Sequence, residues 1–259
     1  MKPPLHITSR DNPLLVRLRR LAQDGAAYRR LGQVWLEGDH LCQALRARGR
    51  PAALCVVSQD AWDVLPLREL AGWADKVVVV PAALFAGLSA LQSPSGIGFA
   101  IDLPTAAGEA VADDQPTVVL DRVQDPGNVG SILRSAAAFG VRQVLALAGT
   151  AALWSPKVLR AGMGAHFALA LHEGLDETAL QSLTVPLLAT SSHAGQTLPQ
   201  AVLPWPCAWV MGHEGQGVSA TLLARCALQL RIPQPGGEES LNVAAAAAVC
   251  LYESLRRRQ

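Results

Sequence analysis

Residues 117–140 read TVVLDRVQDPGNVGSILRSAAAFG. The first four are β-branched or apolar and have the length of a buried strand. Residues 129–139 carry apolar side chains at helical spacing, and Gly140 closes them as a helix stop. Between the two lies a loop, residues 121–131, whose Asn128 is placed to cap the helix. Arg134 follows within the first turns. A helix N-terminus with a guanidinium nearby makes a seat for an anion. The same residues also read as an ordinary capped connection from strand to helix.

The unit repeats through the rest of the chain. Strands are expected at 143–147, 167–172, 185–190, 208–211 and 228–232. Helices are expected at 156–160, 176–183, 219–226 and 240–257. Regular strand–helix alternation predicts an α/β fold with a mainly parallel sheet covered on both faces. Ligands of such sheets bind in the loops at the carboxyl ends of the strands.

Two more loops stand at such positions. GHEGQG, residues 212–217, follows the strand at 208–211 and sets Glu214 between glycines. Its glycine spacing is not that of a dinucleotide fingerprint, and His213-Glu214 does not extend to a zinc-protease motif. His213 reads as a polar loop residue. IPQPGGEESLN, residues 232–242, precedes an Ala-rich helix that Ser240 is placed to cap. No phosphate-loop lysine motif, nucleophile elbow or carboxylate pair occurs, and the six histidines show no metal-ligand spacing.

The front of the chain is different. Residues 1–50 hold 10 basic and 4 acidic side chains, whereas the whole chain has a net charge of only +1. Arg17, Arg19, Arg20, Arg29 and Arg30 lie in or just beyond a helix that opens at Asn12-Pro13. They point to a polyanion contact at one end, or to a solvated helix face. Strand-like runs at 53–57 and 77–80 make the front a small α/β domain. Residues 103–116, LPTAAGEAVADDQP, read as a linker between it and a second domain at 117–259.

Half of the residues are apolar and 17% are charged, which excludes wholesale disorder. Five widely spaced cysteines without a C-x-x-C pair indicate a reducing cytosol rather than a disulfide scaffold. No apolar run approaches the ~18 residues of a membrane helix, so no membrane partner is expected.

The three loops, as LDRVQDPGNVGSILRSAAAFGV, WVMGHEGQGVS and LRIPQPGGEESLNVAAAAAVCLYE, resemble the three motifs of the SpoU (TrmH) branch of the SPOUT RNA methyltransferases, in the same order. Residues 157–165 resemble a further family element. ITSRDNPLLVRLRRL, VWLEGDHLCQAL and LQSPSGIGFA resemble the substrate-binding extension of the ribosomal-RNA members. Gln234 departs from the Met usual after Ile-Pro, and Ala244 from the Ser that often follows Asn-Val.

The resemblance implies a deep trefoil knot at the C-terminal end of the α/β fold, a homodimer, and a front module like a small ribosomal protein. Composition and periodicity would not yield the knot, since threaded chains are very rare. It implies S-adenosylmethionine as methyl donor, held by Thr190, Ser191, Gly212, Gly217, Ile232 and Leu241. It places Arg134 beside the acceptor ribose, with Asn128, Glu214, Ser240 and Asn242 fixing the knot and an ion pair between Glu214 and Arg134. No metal is implied.

The function expected is 2′-O-methylation of a ribose in RNA, most plausibly 23S-type ribosomal RNA. The Arg-rich front would supply phosphate contacts, and Arg256, Arg257 and Arg258 could add to them. Transfer RNA is the nearest alternative substrate. A non-catalytic RNA-binding assembly factor and a small-molecule nucleotide-binding protein are the alternatives of other classes.

Overall fold

A computed structural model describes residues 3–89, 91–104, 110–236 and 240–258. The chain divides into two units, Met1–Thr105 with Trp154–Phe167, and Ala106–Leu153 with Ala168–Gln259. The sequence boundary at 102 leaves residues 154–167 in the back half, whereas their packing assigns them to the front unit. Part of the expected linker, residues 105–109, lies outside the described residues. The rest is tied down: Leu103 N donates to Gly32 O, and Thr184 N donates to Asp113 O. Gln143 brackets Ala112 through Nε2 to its carbonyl and Oε1 to its N–H.

The front unit runs β1 (Leu5–His6), α1 (Pro13–Gln23), α2 (Ala27–Leu31), β2 (Gln33–Glu37), α3 (Asp39–Ala47), β3 (Leu54–Ser58), α4 (Gln59–Trp62), α5 (Leu65–Ala71), β4 (Val77–Val80), α6 (Ala82–Ala86) and β5 (Ile97–Asp102). Its sheet has the order β1-β4-β3-β5-β2, with β5 antiparallel to both its neighbours. Asn12 caps α1 through Oδ1 to Leu14 N, and Pro13 at the first position supplies the helical φ. Leu15, Leu18 and Leu21 form the buried stripe of α1. Strands β2 and β5 were not apparent from the sequence pattern. Apart from Asp102 at the end of β5 and Gln33 at the start of β2, their residues are buried, so no polar alternation marks them.

The back unit runs β6 (Thr117–Leu120), α7 (Pro126–Ala138), β7 (Gln143–Leu147), then α8 (Pro156–Gly162) in the excursion to the front unit. It resumes with β8 (Ala170–Leu175), β9 (Leu187–Thr190), β10 (Ala208–Met211), α9 (Ala220–Arg225), β11 (Leu228–Leu230) and α10 (Val243–Arg256). The sheet order is β11-β9-β10-β6-β7-β8, and every pair is parallel. This is the α/β fold with a parallel sheet expected from the alternation. Residues 176–183, expected as a helix, form a 3₁₀ segment at Glu177–Ser182. Residues 165–168, partly expected as strand, are also 3₁₀.

Val119, Leu145, Leu147, Leu187, Ala189, Ala208 and Val210 point into one buried cluster with Leu180 and Leu222. Each valine and leucine among them contributes roughly 1.5–3 kcal/mol on burial. The alternate residues face the other side, where α7 and α10 pack against one another and α10 lies against β10. There the buried Trp209 donates from Nε1 to Ser254 Oγ at 3.0 Å, which fixes α10 to the sheet. The sheet reverses direction at β6: β7 and β8 lie to one side, β10, β9 and β11 to the other. Loops after β6 and β10 therefore flank a topological switch point, where open α/β sheets bind their ligands.

Candidate active site

The three singled-out loops follow β6, β10 and β11, at the carboxyl ends of strands lying close together in the sheet. They meet at one residue. Asn128 donates from Nδ2 to Glu214 Oε1 at 3.0 Å and accepts at Oδ1 from Asn242 Nδ2 at 2.9 Å. One carboxamide thus joins positions 86 and 114 residues away. Glu214 also accepts from Gln124 N at 3.2 Å and Asp125 N at 3.0 Å. Burial pushes the Glu214 carboxyl up, but hydrogen bonds from the Asn128 side chain and the Asp125 and Gln124 N–H groups outweigh it and hold it at about 2.

A second tie runs through Asp121. Its Oδ2 accepts from Ser219 N at 2.7 Å, and its Oδ1 pairs with Arg122 Nε at 2.8 Å. Arg122 then reaches Gln216 Oε1 at 3.1 Å. Arg122 has φ 58°, the left-handed region that side chains rarely adopt, so these contacts hold its backbone against an intrinsic preference.

The caps differ from the sequence expectation. Asp125, not Asn128, caps α7, accepting from Asn128 N at 2.8 Å. Asn242, not Ser240, caps α10, accepting from Ala244 N and Ala245 N. Asn128 is thereby free to join loops through both atoms of its amide, and Asn242 caps α10 with Oδ1 while its Nδ2 reaches Asn128. The neighbouring residues of the third loop, Gly237, Glu238 and Glu239, lie outside the described residues.

The loop after β10 folds back on itself. His213 N donates to Gly217 O, and Gly217 N donates to His213 O. A Cβ on Gly212 would come within 2.2 Å of Gly217 C and Val218 N. The missing side chain therefore makes room for the chain's own return, and Gly217 supplies the φ of +69° that closes it. His213 Nδ1 accepts from Gly215 N and Gln216 N at 3.0 and 3.2 Å. The one sequence signal for this role is the position of an acceptor side chain two residues before a glycine.

Behind the loops is a cavity of about 430 Å³. Thr190, Ser191, Gly212, Gly217, Ile232 and Leu241 all line it, with Glu214 and Ser240 at its edge. Met211, Val218, Leu223, Val243 and Ala246 complete its apolar walls. Gln234 also lines it, and its buried Oε1 has no hydrogen-bond partner among the described residues. Apolar walls with a few polar tips, in a volume between ~300 and 1,000 Å³, suit a small molecule with both a flat apolar part and polar ends. S-adenosylmethionine fits that description.

Arg134 does not pair with Glu214, whose acceptor sites are taken by the first loop. It is exposed on α7 and makes no hydrogen bond or ion pair to a described residue. Asn128 and Asn242 lie behind the lining and act on the loops. The C-terminal arginines are committed elsewhere. Arg256 and Arg257 pair with Glu253, and Arg257 also caps the carbonyls of Leu198, Pro199 and Ala201. Arg258 lies 3.6 Å over the Trp205 ring. Their place is structural rather than an extension of the basic front.

In the front unit, Arg17 donates to Leu31 O and Arg19 to Gly87 O. Arg30 pairs with Asp24 at 2.6 Å, and Arg29 lies over the Tyr28 ring. Arg20 is exposed, and its guanidinium makes no hydrogen bond to a described residue. All except the half-buried Arg19 are exposed. Among the described residues no group of three His, Cys, Asp or Glu could hold a metal ion, and no helix is long and apolar enough to cross a membrane.

Comparison with known proteins agrees with this geometry. An uncharacterized tRNA/rRNA methyltransferase of Synechocystis is 35% identical over 97% of this chain and 94% of its own length. The 23S rRNA (guanosine(2553)-2′-O)-methyltransferase RlmP of Bacillus subtilis is 34% identical over 65% of this chain and 68% of its own. The crystal structure of an AdoMet-bound rRNA methyltransferase from Sinorhizobium meliloti superposes with a TM-score of 0.83 at 25% identity, covering 98% of this chain and 97% of that one. The profile described as the SpoU rRNA Methylase family matches residues 115–252, which include all three loops and the strands that carry them. With those loops gathered by Asn128 around a single cavity, the chain belongs to the SpoU rRNA methylase family.

Proposed function

We propose that this chain transfers a methyl group from S-adenosylmethionine to a ribose 2′-hydroxyl in RNA, with large-subunit ribosomal RNA as the substrate class. One observation carries the reading: Asn128 bonds both Glu214 and Asn242, closing three distant loops around a cavity lined by all six residues expected to hold the donor.

Bound S-adenosylmethionine supplies an electrophilic methyl group on a sulfonium. Ile232 and Leu241 give apolar walls to its nucleoside, and Thr190, Ser191, Gly212 and Gly217 line the same space. Arg134 orients the acceptor ribose or its phosphate and stabilises the alkoxide that develops on the 2′-oxygen. A guanidinium with a pKa above ~12 is a poor proton acceptor, so its role is electrostatic. Asn128, Glu214, Ser240 and Asn242 hold the loops in register. Positioning of this kind supplies up to roughly 7–11 kcal/mol in favourable intramolecular cases.

In this reading residues 1–102 are the RNA substrate-binding domain, followed by the segment 103–116 and the methyltransferase domain 117–259, of which residues 154–167 belong by packing to the front unit. The five arginines of residues 1–102 contact phosphates. Membership in the family supports a deep trefoil knot in the back unit. It supports a homodimer as well, with Val249 and Tyr252 exposed on α10. An RNA substrate of this class supports a cytoplasmic location.

The test is methyl transfer from labelled S-adenosylmethionine to ribosomal RNA and transfer RNA, followed by mapping of ribose methylation. A single 2′-O-methylated site in the large-subunit RNA is expected. Label in transfer RNA alone would move the substrate to that class. Donor binding without transfer to either RNA would leave a non-catalytic assembly factor.

A further inference from the structure

Gln234 stands two residues beyond Ile232, between Pro233 and Pro235. Neither proline has an N–H, and both have a fixed φ, so the short segment can neither satisfy the Gln234 side chain from its own prolines nor turn freely to bring it elsewhere. The side chain faces the cavity that holds Thr190, Ile232 and Leu241. Its Oε1 is buried from solvent and has no hydrogen-bond partner among the described residues. A buried acceptor without a donor carries an uncompensated desolvation cost, and native proteins keep such groups chiefly where something else completes them.

We propose that Gln234 is the residue that reads the adenine of the methyl donor, its Oε1 accepting a hydrogen bond from the 6-amino group. The inference rests on the donor assignment made above. Adenine carries a single hydrogen-bond donor, the 6-amino group, on an otherwise flat ring. That ring matches the apolar walls of Ile232 and Leu241, which lie in the same loop as Gln234. A carboxamide is also the side chain whose geometry suits an adenine edge, with oxygen toward the amino group and nitrogen toward a ring nitrogen. A thioether at this position would pack against the purine equally well but could not distinguish an amino group from a carbonyl.

The test is calorimetric titration with S-adenosylhomocysteine and with its purine-riboside analogue, in which a hydrogen replaces the 6-amino group. The intact chain should bind the adenosine compound at least about tenfold more tightly, since the 6-hydrogen compound leaves the Gln234 oxygen without its donor. Gln234→Met should weaken the adenosine compound by about tenfold, leave the 6-hydrogen compound nearly unchanged, and so abolish most of the preference. Gln234→Glu, which keeps an acceptor at the same place, should retain it. The preference is a ratio on one folded protein, so a general loss of stability does not mimic the result. An unchanged preference in Gln234→Met overturns the assignment of Gln234 while leaving the donor site intact. Failure of the intact chain to bind S-adenosylhomocysteine overturns the donor assignment itself and this inference with it.

Discussion

Asn128 Nδ2 lies 3.0 Å from Glu214 Oε1, and that contact makes the Glu214 carboxylate a clasp rather than a reagent. The carboxylate takes two backbone N–H groups of the first loop besides the Asn128 amide. Hydrogen bonds to an ionised acceptor contribute about 1.5–3 kcal/mol each, with the lower end expected at an exposed site. Glu214→Ala returns the three donors to water and loosens the first loop from the second. The expected outcome is a fall of about tenfold in S-adenosylmethionine affinity by calorimetry. Unchanged affinity would separate the clasp from the donor site.

The same clasp has a pH signature. The folded pKa of Glu214, about 2, is below its ordinary value of 4.5. Its stabilising contribution is therefore fully present above pH 4.5 and is lost as pH falls toward 2. Acid unfolding of the wild-type chain should be steeper across that window than that of Glu214→Gln, whose side chain does not titrate. Coincident acid transitions would assign the acid sensitivity to other carboxylates. Between pH 5 and 9 the Glu214 charge stays constant, so any activity profile there belongs to other groups.

Arg134 stands six residues along α7 from Asn128, exposed and without a partner among the described residues. Nothing in the fold depends on it, and it does not line the cavity. Arg134→Ala should lower turnover by about 100- to 1,000-fold, the cost of removing one donor from a developing oxyanion. Donor affinity should stay within about twofold, and unfolding within about 0.5 kcal/mol. Arg134→Lys keeps the charge but not the planar fork, so intermediate turnover is expected. Single-turnover methyl transfer at saturating donor measures this, and retained turnover in the Ala variant removes Arg134 from the chemistry.

His213 Nδ1 accepts from two successive N–H groups and so shapes the turn that lines the cavity. A side-chain oxygen of Asn in the same place can make the same turn. His213→Asn should keep donor affinity within about threefold, whereas His213→Ala should weaken it by about tenfold through a looser loop. Equal affinities for the two variants would show that the paired glycines, not the side chain, set the turn.

Much of this site was legible because its parts are local. Gly212, Glu214 and Asn242 each sit in a short loop between a recognisable strand and helix, and the alternation gave both the parallel sheet and the end at which they gather. Two kinds of information were absent. The cap of α7 was read as Asn128 because Asn is a strong capping residue; Asp125, three residues earlier, does that work and releases the Asn128 amide for Glu214 and Asn242. The Glu214–Arg134 pair was an implication of the family resemblance, which does not reveal that the Asn128 amide and two backbone N–H groups already bind the carboxylate. The front strands β2 and β5 were missed because burial on both faces erases the alternation that marks a half-exposed strand. Residues 154–167 were assigned to the wrong side of the boundary because chain order does not reveal which unit a segment packs with.

The basic front separates its own residues into testable classes. Arg30 is held by Asp24 at 2.6 Å, and Arg19 is half-buried on Gly87 O, so part of their capacity is already used. Arg20 is exposed without such a partner among the described residues, and Arg17 presents an exposed side chain with one donor on Leu31 O. Counterion release gives a slope of roughly −0.9 in log affinity against log salt for each phosphate neutralised on duplex DNA, and about −0.7 on single strands. Arg20→Glu should weaken RNA binding and reduce the slope by about one, with Arg17→Glu close behind. Arg30→Glu should change it less, since it removes an internal pair along with the free charge. Filter binding to ribosomal RNA between low and moderate salt reads all three. An unchanged slope in Arg20→Glu would mean that this helix face is merely solvated and that the RNA is held elsewhere.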